Sequence, residues 1–215
     1  MKKHITTLLA VAILLGTSYA AHAQSESPNE VRTIFKNTKG SGGYVALSNK
    51  LTSIHGNFAN MPEIYGGWFI GKKFLVGVGG GSTTNYIPVD ISESANPSQR
   101  MSYLYSQFGM VNELVIASNS PIHPVLHVFN GAGFTLQYHR PRWEDLDNPH
   151  YREDIEDIKW YYICEPAIQV ELNLLKWLRL SPGISYRFAF DNEKRKLNNQ
   201  VSGPSVSLGM KFGKF

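Results

Sequence analysis

Glu165, Glu171, Arg179, Arg187 and Lys211 each occupy the polar position of a run in which apolar and polar residues alternate. Carboxylates and cations gathered on one face can bridge into an ion-pair network, line an ion path, or act as acid and base. Acid–base hydrolysis would also need a nucleophile and a histidine held by an acid. His123 and His127 fall at or near an expected turn, His139 and His150 lie in or beside the longest loop, and His55 reads as surface. A set of His139 with Ser102 or Ser106 and a loop acid can be drawn, but no motif singles it out. No catalytic residue is therefore assigned.

Other motifs carry less chemistry. Asp145, Asp147 and Asn148 lack the glycine and terminal glutamate of a calcium loop, so no metal site is assigned. Gly77, Gly79, Gly80 and Gly81 resemble a phosphate loop in composition, yet no Lys-Ser/Thr and no helix follows, and no cofactor is expected. Small residues packing inside a barrel account for them better. Cys164, the single cysteine, falls on an apolar face and reads as a small hydrophobe without a disulfide partner.

The elements that must position these charges are strands. Leu178, Leu180, Pro182, Ile184, Tyr186, Phe188 and Phe190 alternate with Arg179, Ser181, Gly183, Ser185, Arg187 and Ala189. Tyr162, Cys164, Pro166, Ile168, Val170, Leu172 and Leu174 alternate in the same way with Ile163, Glu165, Ala167, Gln169, Glu171 and Asn173. Val206, Leu208, Met210 and Phe212 do so again with Ser205, Ser207, Gly209 and Lys211. A period of two means a strand with one apolar and one polar face. Earlier strands are expected near 43–51, 62–71, 74–85, 101–117 and 125–139, making eight. The loops between them run longer (52–61), short (71–73), long (86–100), short (118–124), longest (140–159), short (around 175–177) and long (191–203). That parity places all the longer loops at one end.

The N-terminus bounds the compartment. Lys2 and Lys3 precede an apolar run from Ile5 to Gly16, and Ala21-His22-Ala23 supplies a small-x-small cleavage pattern, which reads as a signal peptide over 1–23. The run is too short for a membrane helix, which needs about 20 residues. The formal charge is +4, of which Lys2 and Lys3 contribute two, leaving +2 and no case for nucleic acid. An exported chain without a spanning helix enters a membrane only as a closed barrel. The alternation then reads as an apolar exterior around a charged interior.

With these features the sequence resembles the eight-stranded outer-membrane β-barrel families, including small outer-membrane barrel-domain proteins. The segments 165–180 and 208–215 carry the resemblance most specifically. It implies an all-β, antiparallel up-and-down transmembrane barrel over 42–215, after the leader and an N-terminal periplasmic segment at 24–41. It implies Val206, Leu208, Met210 and Phe212 against lipid, and Phe215 as the signal for the barrel assembly machinery. Phe215, however, falls on the polar-face parity. Eight strands enclose a space just wide enough for side chains, so the charges are expected to plug the lumen as an ion-pair network. The function expected is a non-enzymatic outer-membrane protein whose partners are membrane lipid, the assembly machinery and an extracellular or envelope protein at loops 86–100 and 140–159. The alternatives are a lipid-modifying barrel enzyme and a soluble periplasmic barrel carrying an apolar ligand.

Overall fold

The computed structural model describes residues 42–71, 73–140, 155–193 and 196–215. The leader 1–23, the segment 24–41 and the loop residues 141–154, with Asp145, Asp147, Asn148 and His150, lie outside the described residues. The strands are β1 (Gly43–Ile54), β2 (Asn57–Ile70), β3 (Phe74–Ser82), β4 (Ile87–Pro88), β5 (Met101–Val115), β6 (Ile122–His139), β7 (Ile155–Leu175), β8 (Leu178–Asp191) and β9 (Gly203–Lys214). β4 is a two-residue addition to β5 within a loop. The other eight form an antiparallel ring. β3 pairs with β5 from Phe74↔Leu114 to Ser82↔Ser106. β1 pairs with β9 from Gly43↔Lys214 to Leu51↔Val206. These two ladders close the sheet, so neither the first nor the last stave is left as an unpaired edge.

One end of the barrel carries Phe215 and the turns β2–β3, β5–β6 and β7–β8; we call it the terminal end. The opposite, loop end carries the connections after β1, β3, β6 and β8. Several boundaries differ from the sequence expectation: β3 ends at Ser82, β5 ends at Val115, and β7 begins at Ile155, inside the loop expected at 140–159. The loop expected at 52–61 is a two-residue turn, His55-Gly56, between long strands. Both residues have positive φ, 48° and 74°, the backbone of the hairpin turn that matches strand twist. His55 gave no signal of this because asparagine or aspartate is the usual residue there. β6 begins at Ile122 rather than 125. Pro121 lies in the turn, whereas Pro124 is within β6 and pairs with Val170.

Alternation sorts the staves as expected. Tyr162, Pro166, Ile168, Val170 and Leu174 of β7 are exposed outward, while Glu165, Gln169 and Glu171 are buried inward. On the outward positions of β8 and β9, from Leu178 to Phe190 and from Val206 to Phe212, no charged residue occurs. Trp68, Trp160, Trp177 and Tyr186 also point outward, and Trp177 stacks on Phe212. The interior holds an apolar cluster that includes Met61, Leu75, Val111, Phe129 and Ile163, with charged residues threaded through it.

The glycines of β3 allow close strand approach. A Cβ at Gly77 would run into the backbone of Gly66, and across β5 and β6 a Cβ at Gly131 would meet the Phe108 carbonyl oxygen. This is a packing role, with no phosphate-binding geometry.

Candidate functional site

The lumen is filled in tiers. Nearest the terminal end, the Arg179 guanidinium lies 3.8 Å from the centre of the Phe215 ring. That ring also packs at 5.7 Å from Tyr44 and 6.3 Å from Phe69. The polar-face parity of Phe215 is thus explained: the ring turns inward and covers the charges at the mouth.

The next tier centres on Lys211, which is fully buried. Its Nζ donates to Glu113 at 2.9 and 3.0 Å and to Glu171 at 2.7 Å. Arg179 Nη1 donates to the other oxygen of Glu171 at 2.7 Å. His123 Nε2 lies 3.0 Å from that same Glu171 oxygen, and His127 Nδ1 lies 2.9 Å from Glu113. The Tyr44 hydroxyl donates to Glu113 as well. Every carboxylate oxygen here faces at least one donor, the condition under which charge is tolerated in a barrel interior.

A middle tier joins Lys50 to Glu63 at 2.7 Å and to Glu165 at 2.8 Å. Ser185 donates to Glu165 and Gln107 bridges Glu63 and Glu165. Above it Arg187, also fully buried, donates to the carbonyls of Val201 at 2.8 Å and Ser53 at 3.0 Å and to Thr52 Oγ1 at 3.3 Å. Its guanidinium lies 4.8 Å from the Tyr105 ring.

The structure therefore brings Glu171, Arg179 and Lys211 together, places Glu165 with Lys50 in a separate tier, and gives Arg187 carbonyl oxygens rather than carboxylates as hydrogen-bond acceptors. Sequence reasoning missed Lys50, Glu63, Glu113, His123 and His127. Lys50 was recoverable, because Val45, Leu47 and Leu51 define the outward parity of β1. Glu113 was not, because its inward neighbours Val111 and Val115 are apolar and blur the alternation. The early start of β6 moves His123 from the expected turn into the lumen, where His127, already within the expected strand, also faces.

Arg187→Ala strips the donors from two carbonyls without stranding a carboxylate at hydrogen-bond distance. The barrel should lose about 1–3 kcal/mol, the cost of buried acceptors left without donors. Urea unfolding of the refolded barrel in detergent micelles measures this, and an unchanged midpoint would show that water replaces the guanidinium freely.

At the loop end, residues 91–93 form a short 3-10 turn folded over the mouth. Glu93 anchors it: its carboxylate accepts from Tyr103 at 3.1 Å and from Gln200 at 2.9 Å, and its carbonyl accepts from Gln137 at 2.9 Å. The His55 ring stacks on Tyr103 with centroids 4.0 Å apart, its Nδ1 3.4 Å from Glu93. Burial holds the His55 imidazole below the usual histidine range, against the opposing pull of Glu93. His55 is therefore no free surface residue.

Each serine considered as a nucleophile is bonded to groups other than a histidine. Ser102 Oγ, buried, is bonded to both the N–H and the carbonyl of Ile87 at 3.0 Å. Ser106 Oγ is paired with Ser82 at 2.7 Å.

The closed ring of eight antiparallel staves, with a side-chain-filled lumen, defines the class as a small up-and-down β-barrel. Among solved structures it is similar to Neisserial surface protein A, with a TM-score of 0.53 and 13% identity over 81% of this chain and 97% of that one. It is also similar to Ail, the attachment invasion locus protein of Yersinia pestis in complex with a heparin analogue (TM-score 0.49, 9% identity, covering 80% and 98%). A major outer membrane protein of Thermus thermophilus gives 0.49 and 10%, covering 80% and 99%. At these identities the likeness is one of fold. No protein-family model matches the sequence, and no curated protein matches it.

Proposed function

We propose that this chain is an integral outer-membrane β-barrel without catalytic activity. Its lumen is closed by its own ion pairs, and its loop end is presented to the outside. The observation that carries the reading is the inverted polarity: Lys211, Glu113 and Glu171 are fully buried while Leu208, Ile184, Ile168 and Val78 stand more than half exposed. Water would leave that outer surface as one continuous apolar belt, far beyond the patch a soluble monomer tolerates, whereas hydrocarbon satisfies it. The same polarity argues against a soluble carrier, whose ligand space would be inside. A non-enzymatic role is supported by the engagement of the lumen histidines with Glu171 and Glu113 and of both serines with other partners.

In this reading the leader 1–23 directs export and the assembly machinery acts on β9 and Phe215. The region 86–100, anchored on the barrel by Glu93, and the connection at 140–154 are the parts offered to an envelope or extracellular partner. The test is cell fractionation followed by gel electrophoresis with and without boiling. The protein should stay with outer membranes after carbonate washing and migrate faster unheated than heated. Recovery from the periplasm without detergent would overturn the membrane reading.

A further inference from the structure

A cavity of about 750 Å³ opens at the loop end, between the loop that carries β4 and the start of the β5–β6 ladder. Arg100 and Arg140 line it together with His139, and among the described residues no Asp or Glu does. The two arginines leave the backbone at one point, since Arg140 N–H donates to the Arg100 carbonyl at 2.9 Å. The pairing Met101↔His139 continues the ladder from that point, and His139 also lines the cavity. The Arg140 guanidinium lies over the Tyr86 ring at 3.9 Å, which holds its fork in place. Among the described residues neither arginine has an ion-pair partner, and the nearby carboxylate of Glu93 is engaged by Tyr103 and Gln200. Ser98 and Gln99 add hydroxyl and amide groups, while Val89 and Ile91 supply an apolar wall.

The geometry points to a binding site for a phosphorylated sugar. Guanidinium forks match phosphate oxygens in paired hydrogen bonds, and Arg is better suited to this than a point charge. The Tyr86 ring and the hydroxyl and amide groups fit a sugar ring, and the volume lies in the range of small-molecule sites. Such a group reaches the cavity either as the headgroup of an outer-leaflet glycolipid or as a free sugar phosphate. The first source rests on the outer-membrane reading above; the second does not.

The test uses the full barrel purified in detergent and reconstituted into phosphatidylcholine nanodiscs. Two probes are titrated by calorimetry: glucosamine 1-phosphate in solution, and lipid A incorporated in the discs, read against the same lipid with its phosphates removed. Arg100→Gln and Arg140→Gln are each compared with Lys176→Gln, an exposed cation in the terminal-end turn. Each arginine variant should weaken binding of the phosphorylated probe by about tenfold or more, equivalent to about 1.4 kcal/mol, and Lys176→Gln should leave it unchanged. Binding of lipid A alone identifies the membrane source, and binding of both probes admits the free one; either supports the site. The inference is overturned if neither probe binds, if the dephosphorylated lipid binds equally well, or if the arginine variants bind as the parent does. The faster migration of unheated samples checks folding of each variant, so loss of binding by misfolding is recognised separately. A chain that proves soluble defeats the membrane reading while leaving the glucosamine 1-phosphate titration as a valid test of the cavity.

Discussion

Replacing Lys211 with Met should lower the unfolding free energy of the barrel by about 3–5 kcal/mol, the cost of leaving buried charge without its partner. Lys211 makes three hydrogen bonds to Glu113 and Glu171 and has no exposed surface. Methionine fills a similar volume but leaves two carboxylates about one cation short. Arg179 still meets Glu171, whereas Glu113 keeps only Tyr44 and His127. The double variant Lys211→Met with Glu113→Gln should recover much of the loss, because it removes one stranded charge along with its partner. Urea titration of the folded band on gels measures both. If Lys211→Met unfolds at the parent midpoint, the network contributes nothing to stability and the lumen must admit water.

The second large effect concerns the outer face of β9. Leu208 is 54% exposed and points away from the lumen. In hydrocarbon, an arginine at the midplane on the lipid face costs about 2–4 kcal/mol. Leu208→Arg should therefore impair assembly in membranes. Ser207 points inward, paired with Gly183 on one side and Lys50 on the other. A Cβ at Gly183 would already meet Gln169 Cγ at 2.9 Å, so an arginine at 207 must extend along the lumen rather than over Gly183, and Lys50 is already matched by Glu63 and Glu165. The penalty of Ser207→Arg should be the smaller of the two. Pulse-chase tracking of folded and unfolded bands makes the comparison. Normal assembly of Leu208→Arg beside failure of Ser207→Arg would mean that the outer face of β9 never meets lipid.

Where each side chain points was legible in the sequence for β7 from Tyr162, for β8, and for β9 as far as Phe212, because in those runs one parity is apolar throughout and the other carries every charge. Two faces in different solvents impose that pattern, and it survives without any knowledge of neighbours. The parity of loop length was legible too, apart from the β1–β2 hairpin, where His55 stands in place of the usual turn residue. Strands with mixed inner faces were less readable. β5 places Tyr105, Val111 and Val115 beside Gln107 and Glu113 on the same side, so its alternation is blurred.

What the sequence by itself determined was the pattern of staves, the apolar belt and the set of charges that must hide from it. Which charges meet was decided only by closing the ring, which brings β9 beside β1 and sets Lys211 against Glu113, 98 residues away in the chain. The inward turn of Phe215 onto Arg179 has the same origin, as has the gathering of Arg100, Arg140 and Tyr86 around one cavity. Alternation specifies a face for each side chain, but the distance between two side chains on that face depends on register across separate strands, which no local pattern encodes.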